Sequence, residues 1–145
     1  YSGGNYNTSN VTTMAEMYYY CSNLTDVPEY DAGKVTNISD MFYNDLRLTN
    51  FGGLLNLGKA YTQQTENYGP YGLSLGSMKS LTLESAINIL NKLYDLNLTY
   101  DVANGGTLYR QKIKFNSTVL ANLQASEEGL QALANADAKG WNVTT

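Results

Sequence analysis

The sequence predicts an α/β solenoid of short strands and short helices, closed toward the C-terminus by longer, irregular capping units. Three observations predict it. The phrase "TSNVTTMAEMYY" at 8–19 returns as "AGKVTNISDMFY" at 32–43. A shift of 24 residues aligns Val11 with Val35, Thr12 with Thr36, Met14 with Ile38, Met17 with Met41, Tyr18 with Phe42, Leu24 with Leu48 and Thr25 with Thr49. Beyond the second copy, alternating triplets recur between longer polar and helical stretches: "LSL" at 73–75, "IKF" at 113–115 and "WNV" at 141–143. Self-similarity at a fixed period of this size means stacked supersecondary units, each unable to bury its apolar face alone.

Within the first unit, Val11, Met14, Tyr18 and Cys21 follow helical spacing, with Met17 beside them, so a short helix is expected there. Ser9 or Asn10 would supply its N-cap oxygen. After a turn at 22–23, "LTDVP" reads as a short extended segment closed by Pro28. Residues 1–57 are thus repeats of about 24 residues, whose strands should form a ladder. Residues 58–145 form a variant repeat and capping module, with loops expected at 58–72 and 99–107, the second around the turn signal Asn-Gly-Gly. The three triplets are expected as later rungs. Between them, 82–96 should be a helix capped by Thr82, with Leu83, Ala86, Ile87, Leu90, Leu93 and Tyr94 as its apolar stripe. A second helical stretch is expected at 117–138, weakened by Gly129, with Gly140 as a left-handed residue after it and Trp141 folding back over its last turn. Longer units suit the end of a stack, where the last core edge has no neighbour to cover it.

At 145 residues the chain is long enough for one domain with a sizeable core. Charged residues are only 15% of it, and Asn, Thr, Ser, Gly and Tyr fill the difference. The net charge of −4, with no cluster of Lys and Arg beyond Arg110, Lys112 and Lys114, argues against nucleic acid or an anionic membrane as partner. No apolar run approaches a membrane span, so membrane insertion is not expected. The chain opens in mid-phrase and reads as part of something longer.

One cysteine, Cys21, excludes an internal disulfide, and no histidine excludes Ser-His-Asp, Cys-His and histidine-metal chemistry. The acidic groups Asp26, Glu29 and Asp31, and Glu127 with Glu128, are read as structural: the first set at a strand exit, the second in the first turn of a helix. No calcium-loop or P-loop pattern is present. No catalytic residue, metal site or cofactor is therefore expected, and the chain is not expected to be an enzyme. Seven Asn-x-Ser/Thr sequons occur, at Asn7, Asn10, Asn23, Asn37, Asn97, Asn116 and Asn142, but richness in Asn and Thr accounts for them.

Thirteen tyrosines are the informative excess. Tyr18 lies on the apolar stripe and is expected in the core. Tyr19, Tyr20 and Tyr43 lie off it and should face outward; Tyr61, Tyr68 and Tyr71 fall in the 58–72 loop. These six are the candidate binding residues, because a tyrosine offers a rigid ring and a polar tip at low entropic cost.

The repeated phrase, with Val-Thr-x-Met/Ile-x-Asp/Glu-Met-Tyr/Phe followed by Leu-Thr-x-Val/Phe, resembles the repeat of BspA-like leucine-rich-repeat surface proteins. "LTLESAINILNKLYDLNLTYDVANGGTLY" and "ANADAKGWNVT" resemble the C-terminal ends of such chains in gut bacteria and their phages. The resemblance implies a leucine-rich-repeat-type solenoid, exposure outside the cell or on a virion, and adhesion or host-receptor recognition through a host-cell protein or glycan. It carries no active site. One departure stands out: the family pattern has a cysteine near the end of each helix, and Cys21 fits, but Asp45 occupies the matching place in the second copy. The expected role is a non-catalytic binding module at the distal part of a bacterial surface protein or phage fibre. The alternative is a structural decoration or homo-oligomerising subunit of a virion or envelope appendage.

Overall fold

A computed structural model describes residues 3–62 and 72–145. Residues 11–21 do not form the expected helix. The amides of Met17, Tyr19 and Cys21 bond back to the carbonyls of Met14, Glu16 and Tyr18, three residues earlier. The amides between them leave the coil: Met14, Glu16, Tyr18 and Tyr20 donate to Asn37, Ser39, Met41 and Tyr43 at 2.8–2.9 Å. The second copy repeats the local turns, with Met41, Tyr43 and Asp45 bonding back to Ile38, Asp40 and Phe42. Glu16, Tyr20, Asp40 and Asn44 take left-handed backbone, at φ 57°, 56°, 54° and 59°. A left-handed residue at every fourth position turns the chain into a flat ribbon of linked turns. Its period of four cannot be told from 3.6 over ten residues, which is why the sequence read as a helix. The caps differ too: Thr13 Oγ1 and Asn37 Oδ1 accept the amides two residues on, while Asn10 accepts from Lys34 and Ser9 bonds to Asn7.

The extended segments follow as expected and pair across the same 24-residue offset. Strand β1 (Asp26–Val27) runs parallel to β3 (Asn50–Phe51), and β2 (Tyr30–Asp31) to β4 (Leu54–Leu55). Side chains alternate about each strand, so Val27, Tyr30, Phe51 and Leu54 point inward and are buried. Thr49 Oγ1 and its amide both bond to the Thr25 carbonyl one coil away.

The ladder then changes partner. Thr82 donates its amide to the Thr49 carbonyl, and Ser85 Oγ receives the Phe51 amide at 2.9 Å. The start of helix α1 (Leu83–Asn91) therefore occupies the place of a third rung on β3. Strand β5 (Leu73–Leu75) pairs instead with β6 (Gln111–Phe115), and β6 with β7 (Trp141–Thr144), all parallel. Leu73 faces Ile113 and Gln111 faces Trp141, so the offset has grown as longer helical excursions are inserted.

Thr82 caps α1 as expected, but the helix stops at Asn91, and a separate turn of helix, α2 (Leu96–Thr99), starts under the Asp95 cap. Asn56 donates to the Lys92 carbonyl and Tyr94 to that of Leu57; these inter-coil bonds hold the chain between the two helices extended. The 117–138 stretch is likewise two helices, α3 (Ser117–Gln124) and α4 (Glu127–Ala138). The break lies at Ala125–Ser126, where Ser126 caps α4 by accepting from Gly129. A Cβ on Gly129 would collide with the Leu123 carbonyl oxygen, so glycine permits the sharp corner rather than weakening a straight helix. Gly140 is left-handed at φ 93°, as expected, but Trp141 opens β7 instead of folding over α4.

One continuous core runs from Met14 to Trp141 and includes Val35, Ile38, Met41, Leu48, Leu57, Leu75, Leu90, Phe115 and Leu123. Each fully buried leucine in it contributes about 1.5–3 kcal/mol. Met17, Tyr18 and Cys21 pack against the core while partly exposed. Among the described residues no helix is long and apolar enough to cross a membrane.

Candidate recognition surface

The ribbon geometry decides where the tyrosines go. Residues 24 apart sit above one another, so Tyr18 stacks on Phe42 at 5.7 Å and Tyr19 on Tyr43 at 5.1 Å. Tyr18 is on the inner side: its hydroxyl meets that of Tyr30, which donates on to the Gly4 carbonyl. Burial first, and that hydrogen bond second, push the Tyr18 phenol well above its ordinary value. Tyr20, left-handed at φ 56°, turns its ring back over its neighbours. It meets Tyr19 edge-on at 4.8 Å and Tyr43 at 5.3 Å. The three rings form one cluster, and each remains exposed, at 44%, 56% and 45% for Tyr19, Tyr20 and Tyr43. Loss of hydration, then the adjacent Tyr20 and Tyr43 phenols, raise the Tyr19 pKa. Aromatic rings in mutual contact lose little freedom when a partner binds, which suits them to recognition.

The expected loop tyrosines fare differently. Tyr61 is not on the surface: it is only 2% exposed and its ring lies 6.2 Å from Trp141. The turn at Gly58–Tyr61 carries it inward, so packing rather than binding explains it. Tyr68 and Tyr71 lie outside the described residues. In the expected loop at 99–107, Thr99 ends α2, and Val102–Asn104 forms a single turn of 3-10 helix.

Of the acidic residues, Asp26 and Glu29 link their coil to another segment of the chain. Asp26 accepts from Thr25 Oγ1 at 2.7 Å and from Asn50 Nδ2 at 2.8 Å, which hold its carboxyl below the usual range. Asp31 caps the Gly33 amide, and Glu29 pairs with Lys92, which also donates to the Gly52 carbonyl. Glu127 and Glu128 sit in the first turn of α4. Among the described residues no group of three or more potential ligands could hold a metal ion.

Asp45 differs from these. It lies where the repeat puts Cys21, it is fully buried, and neither carboxylate oxygen has a hydrogen-bond partner among the described residues. Burial pushes its pKa up to about 7, opposed only by the nearby Cys21 backbone amide. Asp45 in turn raises the Cys21 thiol, after burial itself, so Cys21 is not an activated thiol.

A feature the sequence reading missed lies beside the tyrosines. The second ribbon, 37–44, and the stretch from Gly72 to Ser77 face each other across an open crevice of about 860 Å³. Tyr43 belongs both to the ring cluster and to the rim of this crevice. Its walls come from positions far apart in sequence, so no local motif could have announced it.

The protein-family model described as "Mycoplasma protein of unknown function, DUF285" matches residues 3–67, the part holding both copies of the phrase. No curated protein and no solved structure matches the chain.

Proposed function

We propose that the chain is a non-catalytic binding module on a cell or virion surface, serving adhesion or host-receptor recognition. In this reading the 24-residue coils and the C-terminal sheet are successive turns of a leucine-rich-repeat-type solenoid of BspA-like surface proteins. The family match over residues 3–67 lends support to the first part of that assignment. The observation that carries the function is the cluster of Tyr19, Tyr20 and Tyr43, three mutually packed rings left open to solvent on a rigid ladder. Apolar surface held open in this way has a use when a partner covers it. Other tyrosines of the chain, such as Tyr30 and Tyr61, are buried, so exposure is not merely a consequence of tyrosine content.

The test is attachment of the labelled chain to host cells and to extracted surface proteins and glycans. Replacing Tyr19, Tyr20 and Tyr43 together by Ala should lower attachment at least tenfold while far-UV dichroism is unchanged. Equal attachment by the triple variant would end the assignment. Light scattering on the same pair separates the structural alternative: an oligomer that the triple variant dissolves would make these rings a subunit contact.

A further inference from the structure

We propose that the crevice between the second ribbon and β5 is a binding subsite for a short, uncharged oligosaccharide. This rests on the binding-module reading and names the chemistry of its ligand. The volume, about 860 Å³, lies in the upper part of the range of small-molecule sites. Its polar lining is varied: Ser39, Asp40 and Asn44 from the ribbon, Ser74 and Ser77 from the opposite wall, and Lys114 from β6. Hydroxyl, amide, carboxylate and ammonium groups together supply both donors and acceptors, and a sugar hydroxyl needs both.

These groups are not spent on the fold. Among the described residues the side chains of Asp40, Asn44, Ser74, Ser77 and Lys114 make no hydrogen bond or ion pair, and Ser39 Oγ donates only to Asn37, leaving its lone pairs open. The first coil makes the contrast plain. There the amides of Glu16 and Tyr20 donate to Ser39 and Tyr43; their counterparts in the second coil, at Asp40 and Asn44, meet no carbonyl among the described residues. The ribbon thus adds backbone donors to the same wall.

Charge selects among polar ligands. Among the described lining residues one Asp40 and one Lys114 cancel, so these carry no excess of charge to favour a polyanion or a polycation. A peptide added along the ribbon would need pockets for alternate side chains, whereas Met41, Phe42 and Leu73 have turned their side chains into the core. Tyr43 supplies the remaining element. Its ring stands on the rim, where the apolar face of a pyranose can lie against it while hydroxyls reach the crevice.

The experiment screens the full chain on a printed array of free oligosaccharides covering neutral, N-acetylated and acidic sugars, followed by titration of the strongest neutral binder. Ser74→Trp fills the crevice from an exposed strand position, and Leu130→Ala alters an exposed position on α4 outside its lining. Expected is micromolar-to-millimolar binding of a neutral sugar, lost at least tenfold in Ser74→Trp and changed less than twofold in Leu130→Ala. Lys114→Met, which removes a charge without filling space, should weaken it several-fold and leave it insensitive to salt. Sugar binding kept by Ser74→Trp overturns the crevice and leaves the tyrosine surface standing. Cell attachment without binding to any arrayed sugar does the same. Binding restricted to acidic sugars overturns the stated ligand class.

Discussion

In residues 11–57 backbone bonds between coils alternate with local turns, whereas in α1, α3 and α4 the backbone is satisfied inside each helix. The amides of Glu16, Tyr18 and Tyr20 bond to a chain segment 23 residues away; those of α1 and α4 bond one turn back under their own caps, Thr82 and Ser126. A ribbon coil therefore has no stability apart from its neighbour, and a capped helix has some. In the proposed solenoid that is the difference between a repeat unit and a capping one. The two regions meet where α1 takes the third rung on β3 and where Trp141 reaches under Gly58 and Tyr61, its Nε1 donating to the Tyr94 carbonyl at 2.9 Å.

Breaking that junction should have the largest effect. Trp141→Ala removes a fully buried indole and leaves the Tyr94 carbonyl without its donor, so a loss of about 3–5 kcal/mol is expected. Urea denaturation followed by tyrosine absorbance and by dichroism checks it. A loss under about 1 kcal/mol would mean that the cap and the coils do not share a core.

The next effect compares the two coils with each other. Asp45 occupies the site of Cys21, and its carboxyl keeps its proton up to about pH 7 in the folded chain against about 3.8 when unfolded. Its contribution to stability is therefore intact below about pH 4 and falls as pH rises to 7, beyond which both states are ionised and the loss is constant. At 1.36 kcal/mol per unit the full loss is at most about 4 kcal/mol. Asp45→Cys, which copies the first coil, should raise stability at pH 8 by a few kcal/mol, have little effect at pH 4, and flatten the fall between them. An unchanged pH profile would show that the carboxylate finds a partner.

The smallest effect is on the ribbon itself. Glu16 sits at φ 57° with no glycine to ease it. Glu16→Gly should stabilise by up to about 1 kcal/mol, since a left-handed L-residue costs about 1–2 kcal/mol and glycine's added unfolded freedom returns part of it. A destabilisation of that size would place the ribbon's origin in the side chain rather than the backbone.

Much of this architecture was legible. The paired apolar positions of the repeat located the core through Met14, Ile38, Met41, Leu24 and Leu48, all buried. The triplets at 73–75, 113–115 and 141–143 marked strands that do pair with one another. The cap at Thr82 and the left-handed Gly140 were readable from local chemistry. The ribbon was not, because four-residue turns and a helix place apolar side chains alike over so short a span. Tyr61 was misplaced for a related reason: its surroundings are polar in sequence, but Trp141, eighty residues on, supplies its pocket.

By itself, then, the sequence determined which side chains leave water and at what interval the chain returns, since both depend on residue type and spacing. The tertiary structure alone decided which amides find partners across coils, which tyrosines share one exposed cluster, and that a crevice opens beside them. Those outcomes depend on distances between segments that are remote along the chain, and a local pattern carries no record of such distances.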